Sequence, residues 1–148
     1  MSSSRPLRLF VVDASVWVSS LVSQEIHHAT SRNWLAQASH HGHSLVAPVL
    51  LMAEVTAAIT RRTNQVLGQQ TLEMLAKMPT LRLVALDKRM AQLAAQIAIH
   101  YRLRGADAFY VALAYQLNAP LVTWDNEQLV RTQGLIVAQE PTLSELET

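Results

Sequence analysis

Short apolar runs alternate along this chain with stretches in which apolar residues recur every three or four positions. The run at 7–12 (LRLFVV) is continuous, too short for a helix and rich in strand formers, so it predicts a buried strand. Helical patterns follow at 15–22 and 25–41, the second ended by Gly42. A second strand is predicted at 44–47, and Pro48 suits the start of a helix over 49–62. A further helix from Asn64 to Lys77 is stopped at Pro79. Residues 81–86 predict the third strand, Asp87 the cap of a helix to about 103, and 106–117 the next helix after Gly105. Strands at 120–123 and 135–138 enclose a short helix at 126–131. Strands separated by helices need crossover connections, so the expected fold is a single α/β domain spanning 1–148. Its architecture is a three-layer α/β/α sandwich around a mostly parallel sheet of about five strands. The serine-rich residues 1–6 are expected to be disordered and 141–148 to form a polar tail.

Composition narrows the chemistry. The 148 residues carry 12 Lys+Arg against 11 Asp+Glu, a net charge of +1, and are 50% hydrophobic but only 16% charged, against about 25% in an average domain. Cysteine is absent, which removes disulfides, thiolate zinc sites and iron–sulfur clusters. Arg5 and Arg8 before an apolar run resemble a secretory leader, but Asp13 interrupts that run and no small-residue cleavage pattern follows. No stretch approaches 18 apolar residues, so no membrane span is expected and the protein is read as soluble and cytoplasmic.

Four carboxylates stand in apolar surroundings. Asp13 directly follows the first strand and Asp125 closely follows the fourth, the positions where parallel sheets bind ligands. Either could simply cap the next helix, and Asp125-Asn-Glu-Gln128 matches a capping box. Asp87, also after a strand, is read as a cap only. Glu54 lies in LLMAEVTAAI with Leu50, Leu51, Ala57 and Ala58 at helical spacing. An ionised carboxylate on such a face costs several kcal/mol unless neutral, paired or metal-bound; pairing with Arg61 or Arg62, or a place at the rim, is the plain alternative. Asp107 falls in the first turn of a helix, with Tyr110, Val111 and Ala114 on its side, where an anion is favoured. Two charges 4 Å apart repel by about 4 kcal/mol at an effective dielectric of 20, so four acids sharing one pocket call for a divalent cation. Hard oxygen ligands select Mg2+ or Mn2+, and such a site serves phosphodiester hydrolysis.

These segments resemble the PIN-domain ribonucleases, particularly the VapC toxins of toxin–antitoxin pairs. VVDASVWV resembles the family's first motif, with Asp13 and Ser15. MAEVTAAI supplies its helical Glu54, and GADAFYVALAYQLNAPLVTWDNEQL its longest motif, with Asp107, Thr123 and Asp125. The resemblance implies a metal-dependent endoribonuclease. Asp13 and Asp107 would be the principal metal ligands, Glu54 and Asp125 would complete a catalytic acidic cluster, and Ser15 and Thr123 would support ligands or contact phosphate. It also implies an RNA substrate, a cognate antitoxin and a homodimer. A PIN-domain nuclease of RNA processing outside such a pair, and a catalytically silent RNA- or protein-binding scaffold, are the alternatives. A dehalogenase-type phosphatase would need a second acid where Ser15 stands, and a receiver domain a late lysine beyond Lys88, so both fit poorly.

The basic side chains are ten arginines and two lysines. Arginine suits phosphate because its planar fork binds two oxygens. Arg61-Arg62, Lys88-Arg89 and Arg102-x-Arg104 could hold an RNA backbone or merely close helix C-termini; the sequence leaves this open. His27, His28, His40, His41 and His43 are read as a polar helix surface and loop, since neighbours such as His27 and His28 point about 100° apart on a helix. Trp17, Val18, Leu21 and Val22 form an apolar strip near Trp34 that reads as core. In the resembled toxins a groove beside these helices receives the antitoxin, and partial exposure of Trp17 or Trp34 would mark it.

Overall fold

The computed structural model describes residues 6–146. Five strands, β1 (Leu9–Val12), β2 (Ser44–Pro48), β3 (Leu81–Val84), β4 (Leu121–Val122) and β5 (Ala138–Gln139), form one sheet in the order β3-β2-β1-β4-β5. Every pairing in it is parallel. The sheet is flanked by helices α1 (Ala14–Leu21), α2 (His28–His40), α3 (Leu51–Arg62), α4 (Gln65–Lys77), α5 (Lys88–Tyr101), α6 (Gly105–Leu117), α7 (Asn126–Arg131) and α8 (Leu143–Leu146). This is the expected α/β sandwich.

The strand order follows from apolar content. Phe10, Val11 and Val12 are fully buried, each side chain contributing about 1.5–3 kcal/mol by leaving water, so β1 takes the centre with neighbours on both edges. Helix α6 is apolar nearly all round: Ala108 and Tyr110 through Ala114 are buried, and it packs on β1, β2, β4 and α5. Asn118 ends it in the left-handed conformation at φ 48°, which asparagine tolerates better than most residues.

Local competition moved several boundaries. Pro48 closes β2 instead of opening a helix, in register with Val84. The β1 ladder on the other side stops at Val46, so proline's missing N–H costs no bond there. The last strand lies at Ala138–Gln139, not 135–138, because Leu135 and Ile136 both donate backbone N–H groups to the Thr132 carbonyl in a turn through Gly134 at φ 89°. Helix α2 begins at His28 because residues 22–28 are held in successive turns, Glu25 N–H to Val22 and His28 N–H to Glu25. In the segment read as a polar tail, Pro141 is buried, and α8 places a buried Leu146 beside α2. Of the N-terminal segment expected to be disordered, residues 1–5 lie outside the described residues.

Candidate active site

The sheet reverses its building direction between β1 and β4, and a crevice for ligands opens outside the carboxyl ends of strands at such a point. Asp13 and Asp125 flank that crevice. Asp13 is 4% exposed and caps α1. Its Oδ2 accepts the Ser15 backbone N–H at 3.2 Å and the Thr123 hydroxyl at 2.9 Å, which leaves Oδ1 outside these bonds. Thr123, fully buried, also accepts the backbone N–H of Asp125 at 3.0 Å. Ser15 Oγ accepts the backbone N–H of Trp124 at 3.0 Å and lies 3.4 Å from Thr123 Oγ1. The two hydroxyls expected to support the site thus tie the ends of β1 and β4 together.

Asp125 caps α7 through the Glu127 N–H at 3.0 Å, but the expected capping box does not close. The Asp125 N–H is already taken by Thr123, so the Gln128 side chain donates instead to Asp125 Oδ2 at 3.1 Å. Asp87 is a cap as read, accepting the Met90 N–H at 2.8 Å.

Glu54 is half-buried. The buried stripe of α3 is Leu51, Val55 and Ile59, so Glu54 stands at its margin instead of within it. It does not pair with Arg61 or Arg62; Arg62 binds Glu25. Its Oε1 accepts the Tyr110 hydroxyl at 2.6 Å. Burial raises the Glu54 carboxyl above its usual range, the Tyr110 bond opposing this and the Asp13 charge adding to it. Asp107, half-buried one turn before Tyr110, is pushed up to about 7, first by burial and then by the charges of Asp13, Asp125 and Glu54 and a hydrogen bond with Asp125. All four acids therefore act on one locus.

Among the described residues the ion pairs are Arg62–Glu25 and Arg131–Glu127, and neither touches the four acids. Nor do three such side chains converge closely enough among the described residues to grip an ion as they stand. The donor set nonetheless fits Mg2+ or Mn2+: hard carboxylate oxygens, no ion pair at any of the four among the described residues, and at Asp107 a carboxyl pushed up to about 7 by burial and then by its acidic neighbours.

Tyr110 and Gln128 belong to the site as partners of Glu54 and Asp125, roles the sequence hides. The only signal was the place of Tyr110 on the same side of α6 as Asp107. Two histidines also depart from the polar-surface reading. His43 is 4% exposed, accepts the Arg8 backbone N–H at Nδ1 and is held below its usual range chiefly by burial. His27 lies flat on Trp124, ring centroids 3.6 Å apart at 4°. Trp17 and Trp34 are buried, so the exposure that would mark a partner groove is not seen. Trp17 nevertheless lines a hollow of about 240 Å³ with Leu21, Arg32, Leu35, Met74 and Met78. No helix is long and apolar enough to cross a membrane among the described residues.

A family model described as PIN domain matches residues 10–135. No curated protein matches the sequence. Among solved structures, VapC20 of Mycobacterium tuberculosis, described as a sarcin-ricin loop cleaving toxin, superposes with a TM-score of 0.72 at 13% identity, covering 86% of this chain and 96% of that one. FitAcB from Neisseria gonorrhoeae gives 0.67 at 19%, covering 89% and 97%. VapBC2 from Rickettsia felis, bound to a DNA fragment from its promoter, gives 0.64 at 13%, covering 88% and 98%. At these identities the likeness is one of fold.

Proposed function

The chain belongs to the PIN-domain family, and from that premise we propose that it is a metal-dependent endoribonuclease, the toxin of a toxin–antitoxin pair. The observation that carries the reading is the placing of Asp13, Glu54 and Asp125 where their charges act on Asp107, from four separate helices, two of the acids as caps, with no ion pair to any of them among the described residues. In this reading Asp13 and Asp107 hold Mg2+ or Mn2+, with Glu54 and Asp125 completing the set. The bound metal supplies Lewis-acid polarisation of the phosphate and a water activated at neutral pH. Thr123 and the Ser15 N–H fix the Asp13 carboxylate through Oδ2, so that Oδ1, outside those bonds, would be the oxygen left to hold the ion. Glu54, with a raised carboxyl steadied by Tyr110, is the group suited to take the proton of the attacking water; Asp125, held by Gln128 and the Glu127 N–H, orients it.

The hollow beside Trp17, between α1, α2 and α4, is apolar with Arg32 at its edge, and it supports an antitoxin that inserts an apolar segment. A structure of like fold described as a toxin–antitoxin complex from Klebsiella pneumoniae, with a TM-score of 0.63 at 16% identity, supports the same partner. Ile99, Tyr115 and Val137, exposed on α5, α6 and before β5, support a homodimer.

The test is cleavage of single-stranded RNA by the purified protein with Mn2+. Asp13→Asn and Asp107→Asn are each expected to lower the rate at least about 100-fold, more than outer-sphere changes cost. Retained activity in both would sink the reading.

A further inference from the structure

The His27–Trp124 pair is used by nothing above. Trp124 stands in the chain between Thr123, which braces Asp13, and Asp125. The residue is held at side chain and backbone: the indole Nε1 donates to Ser31 Oγ at 2.7 Å, Ser31 in turn bonds Ser19 at 2.6 Å, and the Trp124 backbone N–H is held by Ser15. Ser19 and Ser31 are buried, so the hydrogen bond that orients the indole plane is anchored in the interior. His27 lies parallel to that plane at 3.6 Å, close to the spacing of stacked bases, about 3.4 Å. It precedes α2 without making a capping bond, and it is partly exposed, next in sequence to Ile26, which is 89% exposed. The stacked pair thus presents a partly exposed imidazole, next in sequence to an exposed apolar side chain, on an indole whose own residue adjoins Asp125.

We propose that the stacked His27–Trp124 pair is a subsite for one unpaired nucleobase of an RNA chain, which seats a base on the His27 ring while the adjoining phosphate reaches the four carboxylates. The subsite rests on the nuclease reading and adds to it a preference for unstacked, single-stranded RNA. Stacking on aromatic rings is how unpaired bases are held with little demand on sequence. A duplex cannot offer a free base face, so paired RNA would be excluded from this seat.

Steady-state cleavage of a single-stranded RNA with Mn2+ tests it in wild type, His27→Ala, His27→Leu and His27→Phe. Loss of one stacked base predicts a KM raised about tenfold in His27→Ala, with kcat within about twofold. His27→Leu, which covers Trp124 but has no π face, should behave like alanine, and His27→Phe should restore the wild-type KM. A 2-aminopurine placed beside the cleaved bond should be quenched on wild type and His27→Phe but not on His27→Ala. If the leucine variant keeps the wild-type KM, His27 only packs against Trp124 and the subsite is wrong. A wild type that cleaves RNA while KM ignores every His27 change overturns the subsite alone. A wild type that cleaves no RNA overturns the nuclease reading and the subsite with it.

Discussion

At Asp107 the chain keeps a carboxyl that ionises only near neutrality, and this sets a pH signature for the metal-free protein. Its folded value of about 7 lies above the ordinary 3.8, so between these values the folded chain binds more protons than the unfolded one. Asp107 therefore costs stability increasingly as pH rises from about 4 to 7, and no further above that. Glu54 shifts the same way; His43, held low by burial, acts oppositely by weakening the fold on acidification. The clean comparison is the Asp107→Asn variant in EDTA: its Tm should exceed that of wild type at pH 8 and approach it at pH 5. Mn2+ should raise the wild-type Tm more at pH 8 than at pH 5, since binding requires the ionised form. Thr123→Val removes the hydroxyl that orients Asp13 and caps the Asp125 N–H. Cleavage should fall about 10- to 100-fold, as for a partner outside the metal's own ligands, with far-UV circular dichroism unchanged. The four acids were legible in the sequence because carboxylates in apolar company are costly. The hydroxyl on Glu54 was not, because its donor lies 56 residues away and no local pattern encodes that meeting.

Among elements, α3 and α4 meet so closely that Gly68 is required. A Cβ there would overlap the Thr60 hydroxyl, itself bonded to the Thr56 carbonyl. Gly68→Ala should destabilise by about 1–3 kcal/mol, the usual cost of overpacking, read from chemical denaturation, and cleavage per folded molecule should stay the same. Adding Thr60→Ala should recover part of the loss. Element identity was readable because periodicity separates strands of five residues or fewer from the helices α1 to α6, each of eight residues or more. Boundaries were less so at β5, where Leu135 and Ile136 have strand-like side chains yet their N–H groups are spent on Thr132. At Pro48 the helix-starting preference lost to continued pairing with β3. Neither outcome is set by the residues alone; both depend on which neighbour supplies the carbonyl.

Across the whole molecule, the strand order β3-β2-β1-β4-β5 converts sequence distance into contact. Alternating strands and helices implied a parallel sheet, and the placing of acids after strands implied one edge. Which strands adjoin was not written in the pattern; β1 gains β4 as a neighbour only because both are apolar enough to be buried on each side, with Leu121 and Val122 fully covered. That adjacency bears on the protein's own synthesis. Asp13 precedes by 110 residues the Thr123 hydroxyl that braces it, and the acid across from it follows two residues later. A growing chain on the ribosome therefore holds an open-edged β1 and an unfinished cluster until residues 121–125 have been made. On the nuclease reading, the host is protected from each half-made copy, and ribosome-stalled chains arrested at residue 120 should leave RNA intact in a Mn2+ cleavage assay while released full chains cut it.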